Sequence, residues 1–417
     1  MDDPLTRYLG SLQSSIRQEH GLQLRQLLSL SCPQTYDIGS DSPAQRHQKI
    51  QRVFSHAMQG MDLGDEWIEF MTHHIESLAL FHGRQTSYVG GYDRLVSGLT
   101  PFLKIFREDM GSWLVEPMHS VVHNLYVLAD MADRELQGEN KKECKLVDCG
   151  DQLRKCFSVS LQAPNNKEKK LAGLDIVNVS IKIYFKLNTL RLCKNLIRTV
   201  ESKQFPPFDV FPVSQKVTYK FYLGRLAVFD EKYEEAQEAL TYALKHCHVA
   251  CEKNKSLILK YLIPVGLLLG RLPSPLLVQK YQRILGPYVP LAESLRSGNI
   301  GMFYDTMKSQ RNVLVKDGTY LLLEKLQASV YRRLLRKVWI IHAQQEPDKA
   351  AQIPLSMFET ALKVAGMDID MDEIECIAAN LISRKYVKGY ISHKLKVMVV
   401  HKTQPFPDLG SVVLVDE

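Results

Sequence analysis

The chain has 417 residues, of which 45% are apolar and 24% are charged, and these average values indicate folded domains rather than a disordered or fibrous protein. The longest apolar run, residues 261–270, contains Pro264 and is far shorter than the ~20 residues that cross a bilayer. The start Met1-Asp2-Asp3-Pro4 is acidic, so we expect neither a secretory leader nor a membrane partner.

The net charge of +7 is distributed unevenly. Residues 1–170 carry 19 Lys and Arg against 22 Asp and Glu, whereas residues 171–417 carry 34 against 24. The basic surplus in the C-terminal part favours an anionic partner there, although an ordinary solvated surface is equally compatible with it. Eight scattered cysteines without a Cys-x-x-Cys pair indicate reduced thiols rather than a disulfide framework or a zinc ribbon.

From Leu5 to about Val200, apolar residues recur at i, i+3, i+4 and i+7 and predict successive amphipathic helices. Turns between these helices are predicted where Gly, Pro and Asn cluster. The predicted turns are Ser42-Pro43, Gly90-Gly91, Thr100-Pro101 and Pro164-Asn165-Asn166.

Two helical hairpins predict a repeat architecture. The first spans residues 181–200 and turns at 186–188. In the second, residues 219–246, small side chains such as Gly224 and Ala236 allow two helices to pack closely, as in tetratricopeptide repeats. Stacked hairpins of this kind form a solenoid.

A connector and a long helix follow along the chain. The adjacent prolines of residues 205–208 cannot continue a helix and predict a connector between two solenoid segments. Residues 318–342 predict one long helix, followed by a linker at 344–348. The predicted buried face of this helix contains Leu322, Leu326, Val330, Leu334, Val338 and Ile341.

The C-terminal region changes from helices to strands. A capping box at 356–359 predicts the start of a short helix that Gly366 ends, and Asp370 begins a second helix. Residues 389–393 and 396–400 predict two strands joined by a tight turn. Two helices followed by a β-hairpin are typical of a winged helix.

The predicted fold is therefore an all-α helical-repeat (TPR-like) solenoid that ends in a C-terminal winged helix with a small β-hairpin. Four segments follow from this interpretation: N-terminal helical repeats, a second helical segment, the winged helix and a tail. Their predicted bounds are 1–204, 205–345, 346–404 and 405–417.

The strongest functional signal is basic charge in the predicted winged helix. Residues 376–402 contain no Asp or Glu, and they include the second helix and the hairpin that a winged helix presents to a duplex. Two alternatives are a solvated basic face and a dock for an acidic protein. The residues predicted to bind nucleic acid are Arg384, Lys385, Lys388, Lys394, Lys396 and Lys402.

A second basic cluster follows the predicted long helix, on the face opposite its apolar residues. If the winged helix packs beside this helix, the two clusters form one patch; a solvated face explains the second cluster equally well. Trp339 and Tyr390 are candidates for stacking on bases, although such aromatics more often pack in a core. The cluster begins with Lys325, and its members predicted to bind nucleic acid are Arg332, Arg333, Arg336 and Lys337.

The sequence carries no signature of catalysis. It has no Gly-rich phosphate loop, no Gly-x-Ser-x-Gly elbow and no His-Glu-x-x-His pair. His246, Cys247, His248 and Cys251 lie close in sequence, but their spacing does not place them on one helical face. We therefore expect no metal or other cofactor and a non-enzymatic protein, with an unrecognised hydrolase as the weaker alternative.

Several strings, in order along the chain, resemble the PCI-domain-containing protein 2 family. The likeness is specific from about Ile181 to Pro407, whereas residues 1–170 are similar only in helical character. The resemblance implies the PCI fold, a helical solenoid that passes into a winged helix. The matching strings are residues 217–225 (VTYKFYLGR), 246–248 (HCH), 253–255 (KNK), 261–265 (YLIPV), 387–393 (VKGYISH) and 404–407 (QPFP).

The resemblance also implies partners and a cellular role. PCI modules assemble the proteasome lid, the signalosome and a translation initiation factor. Members of this family belong to a nuclear TREX-type complex that couples transcription to mRNA export. They bind a large helical scaffold protein and a small acidic, largely disordered subunit shared with the proteasome lid. A sister branch, described as an accessory signalosome subunit, has similar partners.

Two functional hypotheses therefore stand. The first is a scaffold or adaptor of mRNA export that binds both protein partners and RNA or DNA, in the nucleus and secondarily in the cytoplasm. The second is an accessory structural subunit of the signalosome or of a lid-like complex, without nucleic-acid binding. The candidate docking surface for the acidic subunit is the hairpin region Thr218–Leu269.

Overall fold

The computed structural model describes residues 4–35, 41–57, 63–83, 86–138, 141, 144–162 and 167–407. The chain divides into two compact units, Met1–Tyr222 and Leu223–Glu417. In the described residues, helices dominate both units and strands occur in the second. None of the described helices combines the length and the apolar character that spanning a membrane requires.

The first unit consists of successive amphipathic helices, as the periodicity predicts. Each of α4 to α8 packs on the helix that follows it. The last helix in the series, α10, continues into the second unit. The helices are α1 (Pro4–Arg17), α2 (Gly21–Leu27), α3 (Pro43–Ala57), α4 (Gly64–His82), α5 (Tyr88–Glu108), α6 (Val115–Gly138), α7 (Lys145–Gln162), α8 (Gly173–Lys186), α9 (Arg191–Val200) and α10 (Val213–Phe229).

Two carboxylates of α6 satisfy the first N–H groups of neighbouring helices, which have no partner within their own helix. Glu135 accepts hydrogen bonds from the N–H groups of Tyr88 (2.6 Å) and Val89 (3.1 Å) at the start of α5. Asp133, which is 7% exposed, accepts one from the Leu146 N–H (3.3 Å) at the start of α7. The negative charges also favour the positive ends of both helix dipoles.

Two predicted turns are wrong, because residues 90–91 and 100–101 lie inside α5. The N-cap of α5 is Ser87, whose hydroxyl accepts a hydrogen bond from the Gly90 N–H at 3.1 Å, so the helix begins before the glycine pair. The glycines serve packing instead, because the second one accepts a hydrogen bond on its carbonyl from the Ser77 hydroxyl of α4 at 2.7 Å. Composition alone does not separate these two uses of glycine.

Other predicted boundaries in the first unit are confirmed. Pro43 is the first residue of α3, and the hairpin predicted at 181–200 is formed by α8 and α9. Asn188, in its turn, has a φ of 54°, a left-handed conformation that Asn tolerates. The connector at 205–208 contains no α-helix. The turn predicted at 164–166 lies outside the described residues.

The second unit contains helices of mixed length and then a small sheet. Its helices up to the winged helix are α11 (Tyr233–His246), α12 (Glu252–Leu268), α13 (Pro275–Lys280), α14 (Gln282–Leu285), α15 (Val289–Ser297), α16 (Ile300–Ser309), α17 (Arg311–Asp317), α18 (Tyr320–Glu324) and α19 (Leu326–Gln345). The winged helix contains β1 (Gln352–Pro354), α20 (Leu355–Val364), α21 (Met371–Ser383), β2 (Gly389–Ser392) and β3 (Val397–Val400).

The close packing predicted for the second hairpin is confirmed at Gly224. A Cβ atom placed there would lie 2.6 Å from the Leu240 Cγ atom of α11, which is closer than side chains approach one another. Ala236 and Ala243 of the same helix are fully buried. Small residues at these positions therefore bring the two helices together.

The predicted long helix is divided at Lys325 into α18 and α19, and α19 extends to Gln345. Its predicted buried face is confirmed at Leu326, Val330 and Val338. The prediction for Ile341 is wrong, since this residue is 49% exposed. The next residue, His342, is buried instead, and its Nε2 atom lies 3.2 Å from the Lys349 carbonyl oxygen. Near the C-terminal end of α19, the buried face therefore includes His342 in place of Ile341.

The predicted winged helix is confirmed, with one additional strand. The strand order is β1-β3-β2 and both pairs are antiparallel; Ile353 pairs with Met398, and both side chains are fully buried. Three residues are too few to show the alternation that identifies a strand, so the sequence does not reveal β1. Pro354 then serves as the N-cap of α20.

The two helix starts predicted in the winged helix have different outcomes. Asp370 is confirmed as the N-cap of α21, because its carboxylate accepts a hydrogen bond from the Glu373 N–H at 2.8 Å. The capping box at 356–359 is wrong, because α20 begins at Leu355 and no side chain caps it. Gly366 has a φ of +83° just after α20, as a helix-ending glycine should.

Candidate nucleic-acid interface

Helix α21 occupies the position of the recognition helix in the winged helix. Ile374, Ala378 and Leu381 form its buried face, and the helix packs on α19, α20 and β2. Its exposed first turn carries Asp372 and Glu373, and the helix contains no Lys or Arg. Because these carboxylates repel phosphates, the N-terminal part of α21 does not carry the basic charge that DNA-binding helices normally present.

The prediction that some of the six basic residues lie on the second helix is therefore wrong. The helix ends at Ser383 because Arg384 is its C-cap and Lys385 adopts a positive φ of 61°. The six residues instead follow α21 and border the hairpin. Arg384 and Lys385 follow α21, Lys388 precedes β2, Lys394 and Lys396 form part of the turn between β2 and β3, and Lys402 follows β3.

Four of the six residues, Arg384, Lys385, Lys388 and Lys402, lie at the end of the hairpin opposite its turn; we call this group the basic end. Lys388 and Lys402 are close because the His401 N–H donates to the Lys388 carbonyl at 2.8 Å. All four residues are exposed. Within the described part of the chain, only Lys388 of the four has a side-chain partner, the Gln404 amide oxygen at 3.2 Å. The basic end is therefore accessible to an anion.

The hairpin turn has a different electrostatic character. Lys396 Nζ lies 2.8 Å from Glu375 Oε1, and His393 Nδ1 lies 2.6 Å from Glu375 Oε2. The hydrogen bond from Lys396 lowers the pKa of the Glu375 carboxyl, and the one from His393 adds to this effect. The carboxylate of Glu375, on α21, thus partly neutralises the positive charge of Lys396. Lys394 is exposed.

The prediction that Arg332 lies on an exposed face of the long helix is wrong. The residue is 6% exposed, and its guanidinium donates to the carbonyls of Tyr386 (3.1 Å) and Pro407. The guanidinium also lies 6.0 Å from the centre of the Phe406 ring. Arg332 therefore links α19 to the winged helix and to the segment that follows it, and it is not available to a phosphate.

Two of the three remaining α19 cations cap a neighbouring helix. Arg333 Nε donates to the Arg296 carbonyl at 3.1 Å, and Lys337 Nζ donates to the Ser297 carbonyl at 2.5 Å, at the C-terminal end of α15. These carbonyls have no partner within α15, and the negative end of its dipole favours both cations. Arg336 is half-buried.

The two basic clusters meet in a cleft. Arg384 and Lys325 line a cleft of about 180 Å³ between the start of α19 and the C-terminal half of α21. Lys325 also forms an ion pair with Glu231 at 2.6 Å. The patch expected from packing of the winged helix beside α19 therefore includes Lys325, whereas Arg333 and Lys337 bind α15.

The two aromatic candidates have different surroundings. Trp339 Nε1 donates to the Ala350 carbonyl at 3.0 Å, and its ring centre lies 5.7 Å from that of Phe406, so this side chain packs within the fold. Tyr390 is 63% exposed on β2 and pairs with Val399 across the sheet. Of these two rings, only Tyr390 is placed to stack on a base.

Comparison with known proteins identifies the family. Residues 299–402 match the PCI domain. The chain is 32% identical to PCI domain-containing protein 2 of Danio rerio, and the alignment covers 98% of each protein. The chain belongs to the PCI domain-containing protein 2 family. It is also 34% identical to Enhanced ethylene response protein 5 of Arabidopsis thaliana, over 97% of this chain and 96% of the plant protein. Protein CSN12 homolog of Neurospora crassa is 30% identical over 98% of this chain and 100% of its own length.

The similarity to the PCI domain-containing protein 2 family extends further than the sequence strings indicated. The alignments cover nearly the whole chain, so the prediction that the specific similarity begins near Ile181 is wrong. The PCI match itself starts at the N-cap of α16 and ends just after β3. It therefore contains the whole winged helix, including all four residues of the basic end.

The His-Cys cluster has a structural explanation. His246 ends α11, and its Nδ1 atom lies 2.9 Å from the Tyr242 carbonyl oxygen. Cys247 and Cys251 are the residues that flank the connection to α12. The described residues include no group of three or more His, Cys, Asp or Glu side chains that could hold a metal ion.

Proposed function

We propose that this protein is a non-enzymatic scaffold subunit of a nuclear complex that couples transcription to mRNA export. In this role the helical repeats bind a large helical scaffold protein and a small acidic, largely disordered subunit. The winged helix binds RNA or DNA. Membership of the PCI domain-containing protein 2 family supports the scaffold role.

The observation that carries the nucleic-acid part of the proposal is the basic end. Arg384, Lys385, Lys388 and Lys402 are all exposed, the backbone at Lys388 is hydrogen-bonded to that at His401, and no acidic residue lies between 376 and 402. Grouped cations attract phosphates, and binding releases the counterions of the nucleic acid. Because phosphates carry no base information, contacts of this kind bind all sequences alike.

Charge reversal of the basic end tests this part. We expect replacement of all four residues by Glu to weaken binding of single-stranded RNA and of duplex DNA by at least about 100-fold near 0.1 M salt. The plot of log affinity against log salt should flatten by about 0.7–0.9 for each phosphate that the variant no longer binds. Fluorescence anisotropy at several salt concentrations measures both quantities.

The matched control reverses four exposed cations around α9, namely Arg191, Lys194, Arg198 and Lys203, which makes the same change in net charge. Full RNA affinity in this control shows that the effect depends on position. Unchanged RNA affinity after charge reversal of the basic end would refute the proposal. A variant that keeps its RNA affinity but no longer binds its protein partners would refute it as well.

Affinity purification of the full-length protein from nuclear extract tests the scaffold part. We expect mass spectrometry to identify a large helical protein and a small acidic protein in a stoichiometric complex. The candidate surface for the acidic protein remains Thr218–Leu269, where Lys253 is exposed and Lys255 is half-buried. Recovery of the protein as a free monomer from both nuclear and cytoplasmic extracts would count against the scaffold role.

A second function, an accessory structural subunit of the signalosome or a lid-like complex, is favoured by two observations. The first turn of α21 is acidic, and Glu375 binds Lys396 at the hairpin turn. One relative carries the name Protein CSN12 homolog. An intact complex that does not bind RNA at any salt concentration would select this function.

A further inference from the structure

The cleft between α19 and α21 has an apolar floor and a polar rim. Of the lining residues, Ala328 and Ile377 are half-buried and Leu381 is buried, whereas Glu324, Asn380 and Arg384 are exposed; Lys325, Gln327 and Tyr331 complete the lining. Its volume, about 180 Å³, is smaller than the roughly 300–1,000 Å³ of pockets that hold drug-sized ligands. The dimensions and the lining fit one small flat group with apolar faces and polar edges.

The charges at the rim limit the chemistry of that group. Glu324 is exposed and negative, so it disfavours a phosphate or a carboxylate inside the cleft and favours a neutral group that donates hydrogen bonds. Lys325, also in the lining, is held by Glu231 at 2.6 Å. Arg384 supplies a positive charge at the mouth, beside Lys385. A neutral donor inside and an anion just outside are what one nucleotide of a strand provides.

We propose that the cleft holds one unpaired base of a single-stranded nucleic acid, whose adjoining phosphate binds Arg384. This inference rests on the proposed nucleic-acid function and adds a base preference to it. Adenine, cytosine and guanine carry an exocyclic amino group with two N–H donors for the Glu324 carboxylate, whereas uracil and thymine offer only the single ring N3–H. The site therefore prefers amino-bearing bases, and it requires a strand whose bases are unpaired.

Cytosine and uracil homopolymers form the matched pair of probes, because both are pyrimidines and differ at the group that Glu324 recognises. We expect the full-length protein to bind short oligo(C) RNA about tenfold more tightly than oligo(U) RNA, as one good base contact allows. In Glu324→Ala the two affinities should become equal through weaker oligo(C) binding.

Filling the cleft provides a second test. Ala328→Phe places a ring where the base binds and leaves every charge unchanged. Its oligo(C) affinity should fall about tenfold, while duplex DNA affinity and its salt dependence stay at the wild-type values. Val364→Phe, at a residue of α20 that is 86% exposed, is the control and should behave as wild type. Thermal melting shows whether Ala328→Phe folds; if it does not, Glu324→Ala decides.

The possible failures are distinguishable. Equal affinity of the wild type for oligo(C) and oligo(U), together with salt-dependent binding of both, overturns the base site and leaves the proposed function standing. No binding of any nucleic acid overturns both. If Ala328→Phe keeps its RNA affinity but loses a co-purifying protein, the cleft is a protein dock and the base site is refuted.

Discussion

The cations of α19 and those of the basic end lie in the same unit but have different surroundings. Arg332, Arg333 and Lys337 each donate to backbone carbonyls. Arg384 and Lys385 are exposed and have no side-chain partner within the described residues. The α19 cations reach backbone carbonyls of neighbouring segments, such as those at the end of α15. A cation bound to such a carbonyl stabilises the fold, whereas an exposed cation without a partner in the described residues is accessible to a ligand.

Arg332 should give the largest effect on stability. Arg332→Met keeps much of the side-chain volume but leaves the buried carbonyls of Tyr386 and Pro407 without their donor. We expect the free energy of unfolding of the second unit to fall by about 3 kcal/mol. Urea denaturation followed by circular dichroism measures it. Arg336→Met, at a half-buried neighbour, is the control and should change stability by less than about 0.5 kcal/mol.

Lys337 should show the smaller effect of a helix cap. Lys337→Met removes the donor to the Ser297 carbonyl at the C-terminal end of α15, and we expect a loss of about 1 kcal/mol. Because this cation is used within the fold, RNA affinity should not change. A variant of full stability and reduced RNA affinity would contradict the assignment and return Lys337 to the nucleic-acid surface.

Arg384 should behave in the opposite way. Arg384→Met should leave the free energy of unfolding within about 0.5 kcal/mol of the wild type, since its side chain has no partner within the described residues. RNA affinity should fall about fivefold near 0.1 M salt, as one phosphate contact requires. Arg384→Met and Lys337→Met should therefore have opposite effects, the first on RNA affinity and the second on stability. If both variants lost stability and kept their RNA affinity, the two sets of cations would not differ in function.

Substitution of Glu375 should give the smallest effect on stability and on RNA affinity. It tests whether a cation at the hairpin turn, Lys396, is bound within the fold. Its folded pKa is lowered by Lys396, so the pair contributes stability above the unfolded pKa of about 4.3 and loses it as pH falls through the folded pKa. Glu375→Gln should thus be less stable than the wild type at neutral pH, and the difference should vanish in acid. RNA affinity should rise slightly, since Lys396 is released. Melting curves at several pH values test this, and a constant difference across pH would contradict it.

Much of the fold could be predicted from the sequence. The hairpin at 219–246 and the N-cap Asp370 were identifiable because each depends on local chemistry, a small residue at a helix crossing or a side-chain oxygen at a helix start. The turns placed at 90–91 and 100–101 failed because Gly91 accepts a hydrogen bond from Ser77 of α4 and Pro101 is buried within α5. Sequence shows which residues are small, but not which helix approaches them.

The candidate site was predictable in part. Exposure of Arg384, Lys385, Lys388 and Lys402 agrees with the prediction that they are available to nucleic acid, which remains to be tested. The sequence could not show that Arg332 is buried and bound to carbonyls while Arg336 is not, since the acceptors of Arg332 lie 54 and 75 residues further along the chain. The cleft was missed for the same reason, because Ala328 and Ile377 come together only when α19 packs on α21.

The short segment 405–407 has a practical consequence for defining the domain. Sequence similarity to the PCI domain ends at residue 402, yet the Lys388 N–H donates to the Pro405 carbonyl at 2.9 Å and Arg332 binds the Pro407 carbonyl. Phe406 packs on Trp339. The end of the PCI match therefore lies inside the folded second unit. A fragment cut at 402 would expose the donors that these residues satisfy, whereas one that continues past Pro407 would retain them.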